Sequence, residues 1–254
     1  MEHDHEHDHH LIEAITDNLS FILVALAVTA AIILAAKLIE KIAVEKSGAK
    51  IEKKWSAKRI AGVGLFSAVG GVLALLEIRL PFLFPDFYML DFSELAGMMA
   101  AFLLGPVAGV LVEFIKTVIH ILIHGTHSAF VGDFAAFVLG TVFILPASLL
   151  YLTKKDTKSQ SKRALVGLIL STVALTVIGA VFNAFYLIPK FAKMYGMDLD
   201  AIIAMGAVIN PNVKSIWSFV ALMTVPFNLI KGIGVSVVVF LVYKPLVTLY
   251  KKIH

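Results

Sequence analysis

Two uncharged apolar runs limit what this chain can fold into. Leu19–Ala36 holds 18 residues without a charge, and Ala164–Pro189 holds 26. The shorter run, as a helix, measures ~27 Å, enough to cross a bilayer core. Further apolar runs lie at Ile60–Leu76, Leu95–Leu104, Pro106–Ile123, Phe134–Thr153 and Ser215–Tyr243. With 59% hydrophobic and 16% charged residues, the chain cannot clothe a soluble surface. Disorder needs the opposite composition. A transmembrane β-barrel needs short alternating segments instead. The expectation is an all-α integral membrane protein, with one leading transmembrane helix and six core helices.

Lysine and arginine in short loops orient such a bundle. Lys37–Arg59 carries eight, Lys154–Arg163 five, and the C-terminal stretch Lys244, Lys251 and Lys252. That is sixteen of twenty-two, all on one side if the core starts inside. Core N-terminus and C-terminus are therefore expected in the cytoplasm, and the extreme N-terminus outside. Residues 1–50 read as a histidine-rich tail, an extra transmembrane helix and a charged linker, and 51–254 as the six-helix domain. The polar start shows no signal peptide of the usual design.

Polar residues at membrane depth are costly and need a reason. Asn183 stands late in the longest run, and Asn228 and Lys231 stand three apart in the last span, on one helical face. The asparagines could bond each other as interhelical glue. Alternatively, amide and ammonium groups could line a pocket for a neutral ligand with an imide-like edge. Glu113 and Lys116, also three apart, read as an intrahelical ion pair, with ligand contact or proton coupling as alternatives. The loop from Pro81 to Glu94 carries four Phe, including Phe84 and Phe87, with Met89 and one Tyr. It is either an interfacial belt or a lid over a flat ligand. Asp91 is expected to cap the following helix, with Glu94 completing a capping box. On the first core helix Ala57/Ala61 and Gly64/Ala68 form small-x-x-x-small pairs. These suit either packing within the chain or docking of another subunit.

Other signals are weaker. With no cysteine, thiolate chemistry is excluded. His120 and His124 lack the glutamate of a zincin, since Ile121 stands in its place. Together with His127 and Asp133 they leave an intramembrane metalloenzyme as an alternative. Asp133 has no partner aspartate for a protease dyad. The run His3–His10 could bind metal, or be a tag or tail. No P-loop is present, so ATP hydrolysis of that kind is excluded.

Five segments together resemble the riboflavin-specific substrate-binding subunit (S component) of energy-coupling-factor (ECF) vitamin transporters. They are Leu90–Glu94, Gly105–Lys116, Gly132–Phe137, Phe182–Pro189 and Pro226–Gly232. The resemblance runs from about Lys58 to Tyr243. It implies a six-helix, non-enzymatic, multi-pass protein of the prokaryotic cell membrane that takes up riboflavin at its outer side. Riboflavin would be the transported ligand, and no cofactor, metal or nucleic acid is expected. It implies partnership with a transmembrane coupling protein and two ATPase subunits. By motif, Asn183, Asn228 and Lys231 would contact the flavin and its ribityl chain. Phe84, Phe87 and Met89 would pack over the flavin, and Ala57, Ala61, Gly64 and Ala68 would meet the coupling protein. Another vitamin, such as thiamine or biotin, is the alternative ligand. Three features differ from the family: Ala136 stands where asparagine is usual, the polar stretch from Pro189 to Ser215 is long, and the leading helix is additional.

Overall fold

The computed structural model describes residues 19–47, 51, 56–126, 128–152 and 159–253. The histidine-rich run, most of the charged linker and His127 lie outside the described residues. Among the described residues, six helices are long and apolar enough to cross a membrane. They are α1 (Leu19–Ser47), α2 (Ala57–Ala74), α4 (Pro106–His124), α5 (Val131–Leu152), and two long composites. The first composite is α6 (Gln160–Phe182), a π-helical turn (Asn183–Leu187) and α7 (Ile188–Met194). The second is α9 (Ile216–Phe219), a π-helical turn (Val220–Thr224) and α10 (Val225–Ile253).

The short apolar run forms α3 (Glu94–Leu104), 11 residues or ~16 Å long, buried along almost its whole length. It counts as the sixth core helix but runs inside the bundle. Gly105 stops it at φ 101°, a backbone that favours glycine, and Pro106 starts α4 in the next position. Connectivity then sorts the ends. The start of α2, the α3–α4 turn, the end of α5, the start of α6 and the end of α10 lie at one end. The hairpin β1–β2 (Ile78–Arg79 with Met89–Leu90), the α4–α5 link and the start of α10 lie at the other.

Two apolar clusters follow this division. Met98, Phe102, Phe143, Ile144, Tyr151, Leu168 and Tyr243 fill one end. Phe84, Tyr88, Ile188, Ile202, Phe219, Met223 and Phe227 fill the hairpin end. The stretch between Pro189 and Ser215, read as polar, instead contains α8 (Leu199–Ile209), an apolar helix. Its Ile202 is buried, and a Cβ at Gly206 would lie 2.7 Å from Phe219. The aspartates and lysines flanking it give the polar average, while its own face packs inward.

Candidate functional site

The aromatic loop folds back onto the bundle. Amides of Leu83 and Phe84 donate to the Leu80 carbonyl, and that of Tyr88 donates to Pro85. These turns direct Phe84 and Tyr88 inward, against Phe227, at centroid distances of 5.4 and 4.7 Å. The Tyr88 hydroxyl donates to Asn183 Oδ1 at 3.0 Å and lies 2.6 Å from Thr224 Oγ1. Burial pushes this phenol well above its usual range, against the pull of the Thr224 hydrogen bond, so it stays protonated. Tyr88 therefore ties the loop to both π-helical turns, one beginning at Asn183 and the other ending at Thr224. Such turns are often found at functional sites, because the widened turn re-aims side chains.

Under the loop lies a cavity of about 150 Å³. Phe87, Tyr88, Met89, Asn183, Asn228 and Lys231 are in its wall, with Phe143 and Phe191. Phe84 is not; it sits one layer behind, on Phe227. The asparagines do not act as glue for each other. Asn183 accepts from Tyr88, and its Nδ2 donates to the Gly179 carbonyl at 2.8 Å. Asn228 is 3% exposed, and its Nδ2 has no hydrogen-bond partner among the described residues. Gly179 makes room for it: a Cβ there would stand 2.4 Å from that nitrogen.

An adjoining cavity of about 210 Å³ shares Phe87, Met89, Glu94, Ala136 and Lys231 with the first. Together they reach the lower end of the ~300–1,000 Å³ usual for small-molecule sites. This second chamber is polar. Lys231 Nζ lies 2.9 Å from Asp91 Oδ2 and 3.0 Å from Glu94 Oε1. Lys116 Nζ lies 2.8 Å from Glu113 Oε2, 3.7 Å from Glu94 Oε1, and donates to Ser93 Oγ at 2.6 Å. The Glu113–Lys116 pair read from the sequence thus exists, within a network of three carboxylates and two ammoniums. Burial alone would raise the Asp91 carboxyl, but Lys231 and then Lys116 hold it well below the usual carboxylate range.

The capping box does not form. Asp91 Oδ1 accepts from the Ser93 amide at 2.8 Å, but α3 begins after Ser93 without a side-chain cap. Glu94 turns to the two lysines because a buried carboxylate gains more from an ammonium than from a backbone amide. Glu77, Asp91, Glu94 and Tyr88 line the two cavities, and sequence reasoning did not single them out for a pocket. The one available signal was a lone tyrosine among four phenylalanines, a hydroxyl needing a partner.

His120 stands between Asp133 (Nδ1 to Oδ1, 3.3 Å) and Glu77 (Nε2 to Oε1, 3.5 Å), while Thr126 donates to Asp133 Oδ2 at 2.8 Å. Among the described residues no group of three His, Cys, Asp or Glu could hold a metal ion. Ala57, Ala61, Gly64 and Ala68 are all exposed along α2, and a Cβ at Gly64 would meet nothing within 4 Å. The packing partners of α2 lie on its other face, at Arg59, Ser67, Gly70 and Gly71.

The bundle and its cavity define a multi-pass membrane protein with a small-molecule-sized chamber at one end. Residues 58–243 match the family described as ECF transporter, substrate-specific component. The riboflavin transporter RibU of Staphylococcus aureus (strain TCH60) is 35% identical over 196 residues, 77% of this chain and 94% of that protein. The riboflavin transporter FmnP of Bacillus subtilis (strain 168) is 31% identical over 201 residues, 78% of this chain and 97% of that protein. A solved S component of a bacterial ECF transporter superposes with a TM-score of 0.57 at 34% identity, covering 76% of this chain and 98% of that one. The chain belongs to the family of ECF transporter substrate-specific components, the one its five motif segments resemble.

Proposed function

We propose that this protein is the riboflavin-binding subunit of an ATP-driven ECF importer. It captures riboflavin at the outer membrane face with high affinity. It delivers the vitamin inward together with a coupling protein and two ATPase subunits. The observation that carries this reading is Asn228, a wall residue of a cavity lined by aromatic rings, whose buried Nδ2 has no hydrogen-bond partner among the described residues. Leaving such a donor unmet costs about 1–3 kcal/mol, so the site favours a ligand that supplies an acceptor. A flavin has carbonyls on an imide edge and a flat ring system that suits Phe87 and Phe191. The hydroxyls of a ribityl chain suit the polar chamber around Asp91, Ser93 and Lys231. The names of the two relatives support the same ligand.

Orientation supports it too. The described members of the basic clusters, among them Lys37, Lys41, Lys58, Arg59, Lys162, Arg163 and Lys244, belong to the end opposite the cavity. The positive-inside rule therefore favours a cavity that opens outward in the prokaryotic plasma membrane, with core N- and C-termini in the cytoplasm. The exposed small-residue face of α2 is the proposed seat of the coupling protein. We divide the chain at residue 50, with the six-helix binding domain after it.

The test is a competition assay. Excess riboflavin should displace bound flavin, whereas thiamine and biotin should not. Asn228→Ala is expected to weaken riboflavin binding by about 1–3 kcal/mol with little change in melting temperature. Its Nδ2 gives up no hydrogen bond to the described residues when removed. Equal affinity of variant and wild type in a fluorescence titration would remove Asn228 from the site.

A further inference from the structure

Helix α1 lies outside the matched span, which begins at residue 58. The matches cover 94% and 97% of the two bacterial relatives, leaving too little of either for a helix of 29 residues. Apolar contact explains part of how α1 sits: Ile32, Ile33 and Ala36 pack near Val107, Val110 and Phe137. It does not explain Glu40. This carboxylate is 6% exposed, and taking it out of water is costly unless every oxygen is met. Arg59 Nη2 donates to Oε1 at 3.1 Å and to Oε2 at 3.0 Å, and the Val107 amide donates to Oε2 at 2.9 Å. The α3–α4 turn closes round it, since a Cβ at Gly105 would lie 2.9 Å from Oε2. Apolar contacts let a helix slide and rotate; a buried carboxylate with three directional hydrogen bonds fixes one register.

The register matters because of where the donors sit. Arg59 is in the first turn of α2, between Ala57 and Ala61, and faces inward while those alanines face out. Val107 is in the first turn of α4. One side chain of the added helix thereby ties the starts of two core helices together. Lys116, in the wall of the second chamber, is nine residues further along α4, ~14 Å away.

We propose that α1 is a built-in clamp, with Glu40 the positioning residue that holds the first turn of α2 so that its small-residue face can seat the coupling protein. This rests on the reading of the chain as an S component whose α2 face meets that partner. Glu40 acts on assembly and not on the ligand.

Full-length Glu40→Ala, Glu40→Gln and wild type are compared in two measurements: riboflavin affinity of the purified subunit, and retention of the coupling protein and ATPases on it. Glu40→Ala is expected to keep wild-type riboflavin affinity but hold the partners on the order of tenfold more weakly, the scale of a coupling between contacting groups. Glu40→Gln keeps an acceptor for both donors and is expected to restore most of the retention. If Glu40→Ala does not fold, Glu40→Asp takes its place. It is one methylene too short to hold both donors, and the same loss is expected. Retention equal to wild type in the Ala or Asp variant overturns the proposal. So does a loss of riboflavin affinity parallel to the loss of retention, which would make Glu40 a general structural residue. Absence of riboflavin binding in the wild type would instead overturn the functional reading beneath it.

Discussion

Lys231→Met is expected to abolish high-affinity riboflavin binding and to destabilise the detergent-solubilised protein by about 3–5 kcal/mol, the cost of removing one partner from a buried ion pair. Methionine keeps much of the stem volume, so the loss is electrostatic. Asp91 and Glu94 both lose a contact within 3.0 Å. The pH dependence then reverses sign. In the wild type the Asp91 carboxyl is held low, so its stabilisation is present above the unfolded value of ~3.9 and is lost only as pH falls through the depressed value. In the variant, burial is no longer opposed by the contact lysine and the carboxyl rises. A raised carboxyl favours the protonated folded state, so the variant loses stability as pH rises above ~3.9. Thermal melts across an acid-to-neutral series check this. A variant that melts like wild type at neutral pH would show that the network is not structural.

Gly140→Ala is the second large effect. A Cβ at Gly140 would lie 2.1 Å from Glu113 Oε2, and one at Gly97 would lie 2.2 Å from Oε1. Two glycines on two helices clasp a carboxylate that is 0% exposed. The added methyl must push Glu113 off Lys116, which adds the breaking of a buried pair to overpacking of about 1–3 kcal/mol. A loss of about 3 kcal/mol or more is expected in melting experiments. Glu113→Ala in the same chain frees the space, so the double variant should be less destabilised than the sum of the singles. Strict additivity would mean that the glycine does not act through Glu113.

The contrast between the two sides of α3 indicates what a sequence can disclose. Long apolar runs such as Ala164–Pro189 mark their helices because lipid admits few other structures. The basic clusters give orientation on equally general grounds. Asn183, Asn228 and Lys231 were legible because polar groups at membrane depth stand out against leucine and valine. Asp91, Glu94 and Tyr88 were not: Asp91 and Tyr88 belong to the loop before α3, Glu94 opens that helix, and local capping is the simpler reading of the two acids. The role of the two acids depends on Lys231, 140 residues beyond Asp91, and that of Tyr88 on Asn183 and Thr224. Phe84 and Phe87 look alike in sequence, yet three residues and two turns put one behind the wall and the other in it. The apolar α8 was masked by its charged flanks. Glu40 stood in a run of lysines that read as plain topology.

The central claim is that this cavity holds riboflavin, and an equilibrium titration of the purified full-length protein with riboflavin tests it most directly. Flavin fluorescence should be quenched as the ring enters the aromatic wall, saturating at one riboflavin per chain with a submicromolar Kd. A titration without saturable quenching, or one in which another vitamin displaces riboflavin more effectively than riboflavin itself, would contradict it.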